Sequence, residues 1–166
     1  MYNNYFEGLR FRKPNGSGSN TTGAINISNG KPNSALNEYY QVKNALIVNN
    51  TLVDCDLGIR VGTTVNSSLT LAPENLIIAN NIMLNSSESA FEEITTPLGN
   101  SEYQGNITQN GTWDLTNNQN SNITVTSGLL TSGDDFYRIA SNSAAIDAGV
   151  GVYSCLLYTS PSPRDS

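Results

Sequence analysis

The chain has 166 residues, a formal net charge of −6 and only 13% charged residues, against a usual charged share of about 25%. It contains no histidine, which excludes Ser-His-Asp and Cys-His catalysis and removes the commonest zinc ligand. The acidic balance argues against nucleic acid or an anionic membrane as the partner, because both are bound through basic patches. No apolar run predicts a membrane span or a signal peptide in this chain.

A short pattern recurs along the first half of the chain. Residues 44–52 (NALIVNNTL) and 75–83 (NLIIANNIM) each contain Asn, four apolar residues, Asn-Asn and two more residues, and residues 3–6 end a third copy. Apolar runs this short, bounded by turn residues, predict strands rather than helices. The spacing between copies is irregular, which is what loops inserted into the coils of a solenoid produce.

The Asn pairs are suited to the corners between these strands. Asn tolerates a positive φ, and its side chain bonds neighbouring backbone groups. In stacked coils, the Asn residues of one corner can form a ladder of amide hydrogen bonds. Residues 24–27 and 58–62 predict strands on other faces of the same coils, whereas residues 15–23 and 86–101 predict surface loops. The predicted fold is therefore all-β: the C-terminal coils of a right-handed parallel β-helix.

The last third of the chain departs from this pattern. Trp113 is predicted to pack beneath a loop, and residues 137–149 predict a turn followed by a terminal strand, with a short amphipathic helix as the alternative. Residues 155–165 read CLLYTSPSPRD, which resembles a translated sequencing-library adapter. We therefore expect one domain over residues 1–151 and a disordered, non-native tail over residues 152–166. Cys55 is predicted to be a small buried core residue.

Several segments together resemble the polysaccharide lyases typified by chondroitinase B and the related alginate lyases. They are residues 3–9, 10–12, 30–34, 40–47, 71–75, 79–81 and 137–149. The resemblance implies elimination on a uronate-containing polysaccharide. In such a reaction a lysine removes the proton beside the sugar carboxylate, calcium neutralises that carboxylate, and an arginine assists departure of the leaving oxygen. It also implies a monomeric parent protein, secreted or periplasmic, whose partner is an acidic polysaccharide.

In that family the catalytic lysine, the arginine and the calcium ligands lie in coils before the segment that begins this chain. The resemblance therefore implies that the catalytic and metal-binding residues lie upstream of Met1, and that this fragment is inactive. Its first coil, left unpaired, favours self-association. Alginate is the favoured polymer and a dermatan or chondroitin type is the second. The alternative is a non-catalytic glycan-binding or adhesin-type β-helix, because fold alone does not fix function.

Five residues are candidates for contact with the polymer: Arg10, Arg12, Tyr39, Tyr40 and Arg60. On an extended strand, the first two arginines point to one face, and guanidinium groups suit bidentate contact with carboxylate or sulfate. Plain solvent exposure of these arginines is an equal alternative. The adjacent tyrosines could supply a sugar-stacking ring, although strand alternation would place one of them in the core. Arg60 follows Ile59 and is predicted to point outward.

The remaining titratable candidates are weaker. Glu7, Glu92 and Glu93 could serve as acids or metal ligands, but neighbouring glutamates on a strand point to opposite faces, which favours solvated side chains over a calcium pair. Lys31 and Lys43 are candidate bases only if the alignment of this chain with the family is wrong.

Overall fold

The structure is a computed structural model that describes residues 1–10, 23–63, 68–116, 121–133, 136–151 and 153. These residues form fourteen short strands and no helix. The strands are β1 (Tyr5–Glu7), β2 (Ile25–Ile27), β3 (Leu46–Val48), β4 (Thr51–Val53), β5 (Leu57–Val61), β6 (Ile77–Ala79), β7 (Ile82–Leu84), β8 (Ser89–Glu93), β9 (Glu102–Gln104), β10 (Ile107–Gln109), β11 (Trp113–Asp114), β12 (Ile123–Val125), β13 (Leu130–Ser132) and β14 (Tyr137–Ile139). Within these ranges, nothing has the helical length and apolarity to cross a membrane.

Twelve of the strands build three parallel sheets that the chain visits in rotation. Sheet I has the order β3-β6-β9, sheet II the order β1-β4-β7-β10-β12, and sheet III the order β2-β5-β8-β11. From β1 to β9 each turn of the chain adds one strand to each sheet, and β10, β11 and β12 extend sheets II and III only. Equivalent strands stack in register. This arrangement is the predicted parallel β-helix, and it confirms an all-β solenoid.

The core lies inside the coil, where the three sheets turn their apolar sides toward each other. In sheet III, Ile25, Ile59 and Phe91 stand in one register row and are all buried. Leu52 and Met83 of sheet II meet them from the opposite side. Burial of a side chain the size of Phe91 contributes roughly 1.5–3 kcal/mol, and stacking the next coil is what removes it from water.

A ladder of five asparagines runs through the corner between sheets I and II. Its members are Asn4, Asn50, Asn81, Asn106 and Asn122, and each Nδ2 donates to the Oδ1 of the next at 2.8–2.9 Å. The backbone N–H of each donor residue bonds the same Oδ1 at 3.0–3.1 Å. The predicted Asn ladder is therefore confirmed, and its inner members Asn50, Asn81 and Asn106 are hydrogen-bonded although buried.

The corners themselves depend on left-handed backbone. Asn49 and Asn80 precede ladder residues with φ of 55°, and Gly105 takes the equivalent place with φ of 66°. A second outer series follows sheet II, where Asn85 donates to Asp54 at 2.8 Å and accepts from Asn110 at 2.9 Å. Asn is favoured at such places because its short polar side chain tolerates this conformation.

The C-terminal segment packs against the coils rather than extending them. Strands β13 and β14 form an antiparallel pair, and the N–H of Leu129 bonds Oε1 of Gln109 at 2.9 Å. At the other end of sheet II, the ring of Phe136 meets Tyr5 edge-on at 5.4 Å. The hairpin thus spans sheet II from β10 to β1. Val150 then pairs with the side chain of Asn80 through two bonds of 3.0 Å.

Two predictions about these elements are wrong. Residues 86–101 are not simply a surface loop, because β8 lies within them and buries Phe91 completely; the paired glutamates after Phe91 obscured its strand pattern. Residues 137–149 were predicted to be a turn followed by a strand, but they begin with strand β14 and continue as turns. The strand comes first because residues 137–139 pair with β13. The predicted loop at 15–23 and the tail at 152–166 lie almost wholly outside the described residues.

Replacing Asn81 by Ala is expected to lower the free energy of unfolding by about 3 kcal/mol, because buried amide and backbone groups of Asn50 and Asn106 lose partners. Urea unfolding followed by circular dichroism measures this. The matched control is Asn26→Ala, which removes an exposed amide that donates to Ser28 and should change stability by less than about 0.5 kcal/mol. Equal effects of the two substitutions would contradict the role of the ladder.

Stability is expected to fall at alkaline pH because of Tyr103. Burial, and then the charge of Glu93, raise the pKa of this phenol far above its usual range. The unfolded chain releases that proton near pH 10 while the folded chain retains it, so unfolding becomes easier as pH rises above about 10, by up to ~1.4 kcal/mol per pH unit. Tyr103→Phe should flatten this slope in unfolding experiments at pH 9–11. An unchanged slope would exclude Tyr103 as its source.

Candidate functional site

One row of polar side chains crosses the outward face of sheet III. Asn26 on β2 is in register with Arg60 on β5, Arg60 with Glu92 on β8, and Glu92 with Asp114 on β11. Since Ile59 belongs to the core, the alternation of a strand turns its neighbour in this row away from the core. The predicted outward direction of Arg60 therefore agrees with its place in the sheet.

Arg60 nevertheless lies beneath the surface. Its Nε is 3.0 Å from Oε2 of Glu92, and the two side chains are only 10% and 22% exposed. The N–H is not well aligned with that oxygen, so the attraction at this contact is chiefly ionic. With so little of its side chain exposed, Arg60 offers little surface to a polymer, and its ion pair orients the carboxylate of Glu92.

Arg10 is the more accessible arginine. Its Nη1 lies 2.8 Å from Oδ1 of Asp56, and about half of the Arg10 side chain is exposed. The hydroxyl of Ser87 donates to the same oxygen at 3.0 Å, which fixes the carboxylate that orients Arg10. The neighbouring Cys55 is buried as predicted, and that burial raises the pKa of its thiol.

A cleft with a volume of about 370 Å³ opens beside the last two strands of sheet III. The residues that line it are Leu57, Ser89, Thr112 and Trp113 together with the acidic residues Glu88, Glu92 and Asp114. The cleft exists because β11 is the last and shortest strand of its sheet. Its size is within the range of small-molecule sites, roughly 300–1,000 Å³.

Trp113 is held in a fixed orientation at the end of the core. Its Nε1 donates to Oγ1 of Thr124 at 2.8 Å, and its ring centroid is 6.5 Å from that of Phe91. Sequence reasoning predicted packing for this residue, and the contact with Phe91 agrees with that. It missed the cleft, although a lone tryptophan beside Asp114 in a polar stretch was an available signal.

The other predicted contact residues are not brought into the row or the cleft. Tyr39 and Tyr40 lie in the connection between β2 and β3 and are 62% and 57% exposed, so the expectation that one ring enters the core is wrong. These residues are not in a strand, and the alternation rule therefore does not apply to them. Arg12 lies outside the described residues.

The remaining charged candidates are engaged in local contacts. Lys31 pairs with Glu38 at 2.6 Å and Lys43 with Glu74 at 2.7 Å. Glu7 accepts a hydrogen bond from Tyr5 at 2.9 Å. Glu93 accepts one from Thr96 at 3.0 Å, on the other side of the strand from Glu92. The described part of the chain contains no group of three or more His, Cys, Asp or Glu side chains placed to hold a metal ion, and it therefore offers no carboxylate cluster for calcium.

Replacing Arg60 by Met is expected to lower the free energy of unfolding by about 2 kcal/mol, since it leaves the carboxylate of Glu92 partly buried without its cation. Adding Glu92→Leu should recover part of that loss, which a double-mutant cycle measures as coupling. Arg10→Met is the control at an exposed pair and should cost no more than about 1 kcal/mol. Strictly additive effects of Arg60→Met and Glu92→Leu would contradict the pairing.

Comparison with known proteins assigns the solenoid to a family. Residues 1–150 match the family model described as Chondroitinase B. The chain is also similar to a solved structure of the PL6 family alginate lyase AlyGC, with 26% identity and a TM-score of 0.61 over 92% of this chain and 22% of that one. No curated protein sequence matches it. With the family match covering nearly the whole β-helix, the chain belongs to the chondroitinase B family of polysaccharide lyases.

Proposed function

We propose that this chain is part of a lyase that cleaves a uronate-containing polysaccharide by β-elimination. The observation that supports this most is the family match over residues 1–150. Similarity to a PL6 family alginate lyase favours alginate over a dermatan or chondroitin-type polymer. Since the chain spans 22% of that lyase, the activity belongs to a longer protein, which we place outside the cytoplasm with its polymer.

Arg10 is the residue of this chain best placed to bind the polymer. A guanidinium has five N–H donors in a planar fork, and Asp56 engages one of its nitrogens. The exposed half of the side chain leaves donors for a uronate carboxylate, and the fixed position of Asp56 limits the freedom that Arg10 would lose on binding. Arg12, two residues further on, is the second proposed contact.

The catalytic centre is proposed to lie outside this chain. An eliminating base must present a free amine to the proton beside the sugar carboxylate, and Lys31 and Lys43 are both held by carboxylates. No three His, Cys, Asp or Glu side chains among the described residues converge as metal ligands. We therefore expect the base, the assisting arginine and the calcium ligands to come from other coils of the longer protein.

The experiment compares this chain with the longer protein encoded by the same reading frame. Each is incubated with calcium and either alginate or dermatan sulfate, and the absorbance of new unsaturated sugar ends is followed. We expect the longer protein to act on alginate and this chain alone to be inactive. Robust turnover by the chain alone would overturn the placement of the centre.

The same assay tests the alternative of a non-catalytic glycan-binding β-helix. A longer protein that retains alginate but forms no unsaturated ends on either polymer would favour that alternative and overturn the proposed lyase. Activity confined to dermatan sulfate would overturn the choice of alginate and keep the reaction.

Arg10→Gln in the longer protein is expected to raise KM about three- to tenfold with little change in kcat, because it removes a charged contact made equally in the ground and transition states. Arg138→Gln, an exposed arginine on β14, is the matched control and should leave both constants unchanged. A fall in kcat at constant KM would contradict a binding role for Arg10.

A further inference from the structure

Charge is distributed unequally along the solenoid. Residues 1–60 contain six Lys and Arg and four Asp and Glu, whereas residues 61–133 contain six Asp and Glu and no Lys or Arg. Because each coil of a solenoid contacts only its neighbours, order along the sequence becomes order along the axis. The first coils are therefore slightly basic and the last coils are acidic.

The ion pairs of the described residues follow the same division. In each of the four pairs the cation comes from residues 1–60: Arg10 with Asp56, Lys31 with Glu38, Lys43 with Glu74, and Arg60 with Glu92. Glu88 and Asp114 belong to none of these pairs, and both are exposed. Their charge is therefore not neutralised by any cation of the described residues.

The corner between sheets II and III shows this division at the level of single residues. The N–H of Asp56 donates to the carbonyl of Leu9 at 3.0 Å, and the N–H of Glu88 donates to the carbonyl of Asp56 at 2.8 Å. The hydroxyl of Thr112 donates to the carbonyl of Glu88 at 3.2 Å. These bonds place Arg10, Asp56 and Glu88 in successive coils, so the corner changes from cationic to acidic within three coils.

The outward row of sheet III changes sign in the same direction. The row consists, in order, of Asn26, Arg60, Glu92 and Asp114. Its middle two residues are an ion pair, which leaves the negative charge of Asp114 at the end of the row. The corner and the row beside it thus have their uncompensated carboxylates on the same coils, those of β8 and β11.

We infer that Glu88 and Asp114 end the polymer-binding surface of this segment. A uronate polymer carries one carboxylate on each sugar unit. A polymer bound at Arg10 would therefore meet like charge with every unit that lies over β8 or β11, which opposes that placement. The bound polymer extends from Arg10 away from these strands. This inference rests on the proposed function, because it takes the uronate polymer as the ligand, and it adds the residues that set the polymer's direction.

The test measures binding of an alginate hexasaccharide to the isotope-labelled 166-residue chain by NMR. In the wild type, we expect amide shift changes at Arg10 and Asp56 and none at Trp113. Glu88→Gln with Asp114→Asn preserves side-chain shape and removes two charges. This double variant should bind the hexasaccharide about three- to tenfold more tightly at about 0.1 M salt, where charges act over about 10 Å. Its shift changes should reach Trp113, and its gain in affinity should disappear at about 1 M salt.

The matched control removes two carboxylates from other sides of the solenoid. It combines Glu102→Gln on β9 of sheet I with Asp147→Asn in the C-terminal segment. Asn tolerates the left-handed backbone at this second position, where φ is 56°. The control should bind the hexasaccharide within about twofold of the wild type, because its charges are screened from the corner. Adding Arg10→Gln to either variant should weaken binding, which places the polymer at Arg10.

Four results would overturn the inference: an unchanged affinity in the Glu88 and Asp114 variant, an equal gain in the control, wild-type shift changes at Trp113, or no saturable binding by wild type and variant alike. The lyase proposal survives all four, since it rests on unsaturated ends formed by the longer protein. A longer protein that forms no such ends would overturn the lyase proposal without changing these binding results.

Discussion

The buried amide ladder between sheets I and II is the interaction on which the rest of the fold depends. Each ladder asparagine bonds the side chain of the next coil, and its backbone N–H bonds the same oxygen. These bonds are satisfied only when consecutive coils are in one register, because a buried amide that loses its partners costs about 1–3 kcal/mol. The ladder therefore fixes one register for coils of unequal length. The longer loops lie at the other corners of the solenoid.

Sheet III shows what this register does for the surface. Because the strands align, Asn26, Arg60, Glu92 and Asp114 stand side by side, and the ion pair between the middle two orients a carboxylate toward the cleft. The sheet ends at β11, whose two residues leave Trp113 without a strand stacked above it. The uncovered edge of sheet III thus leaves a cleft on its outward face, and the indole of Trp113 packs against the end of the core. The C-terminal hairpin covers sheet II.

The candidate site was only partly predictable. Arg10 and Arg60 could be identified from charge and spacing, but their partners are 46 and 32 residues away in the sequence, a separation that no local pattern reveals. The Arg10 side chain, paired with Asp56, is about half exposed to solvent, whereas the Arg60 side chain, paired with Glu92, is nearly buried. Tyr39 and Tyr40 were misjudged because an alternation argument was applied to residues outside a strand, and the cleft was missed because its seven lining residues come from three strands and the turns beside them.

The sequence by itself determined the class of fold and the corners, since Asn-Asn after four apolar residues specifies a short strand followed by a left-handed turn. It also carried the family resemblance that the match over residues 1–150 confirmed. Only the tertiary structure decided which strand stacks on which, that β8 lies in the core, and that the terminal segment folds back as a hairpin. Those outcomes depend on contacts between coils, whose energies come from burial and register across 16 to 46 residues, rather than from any local propensity.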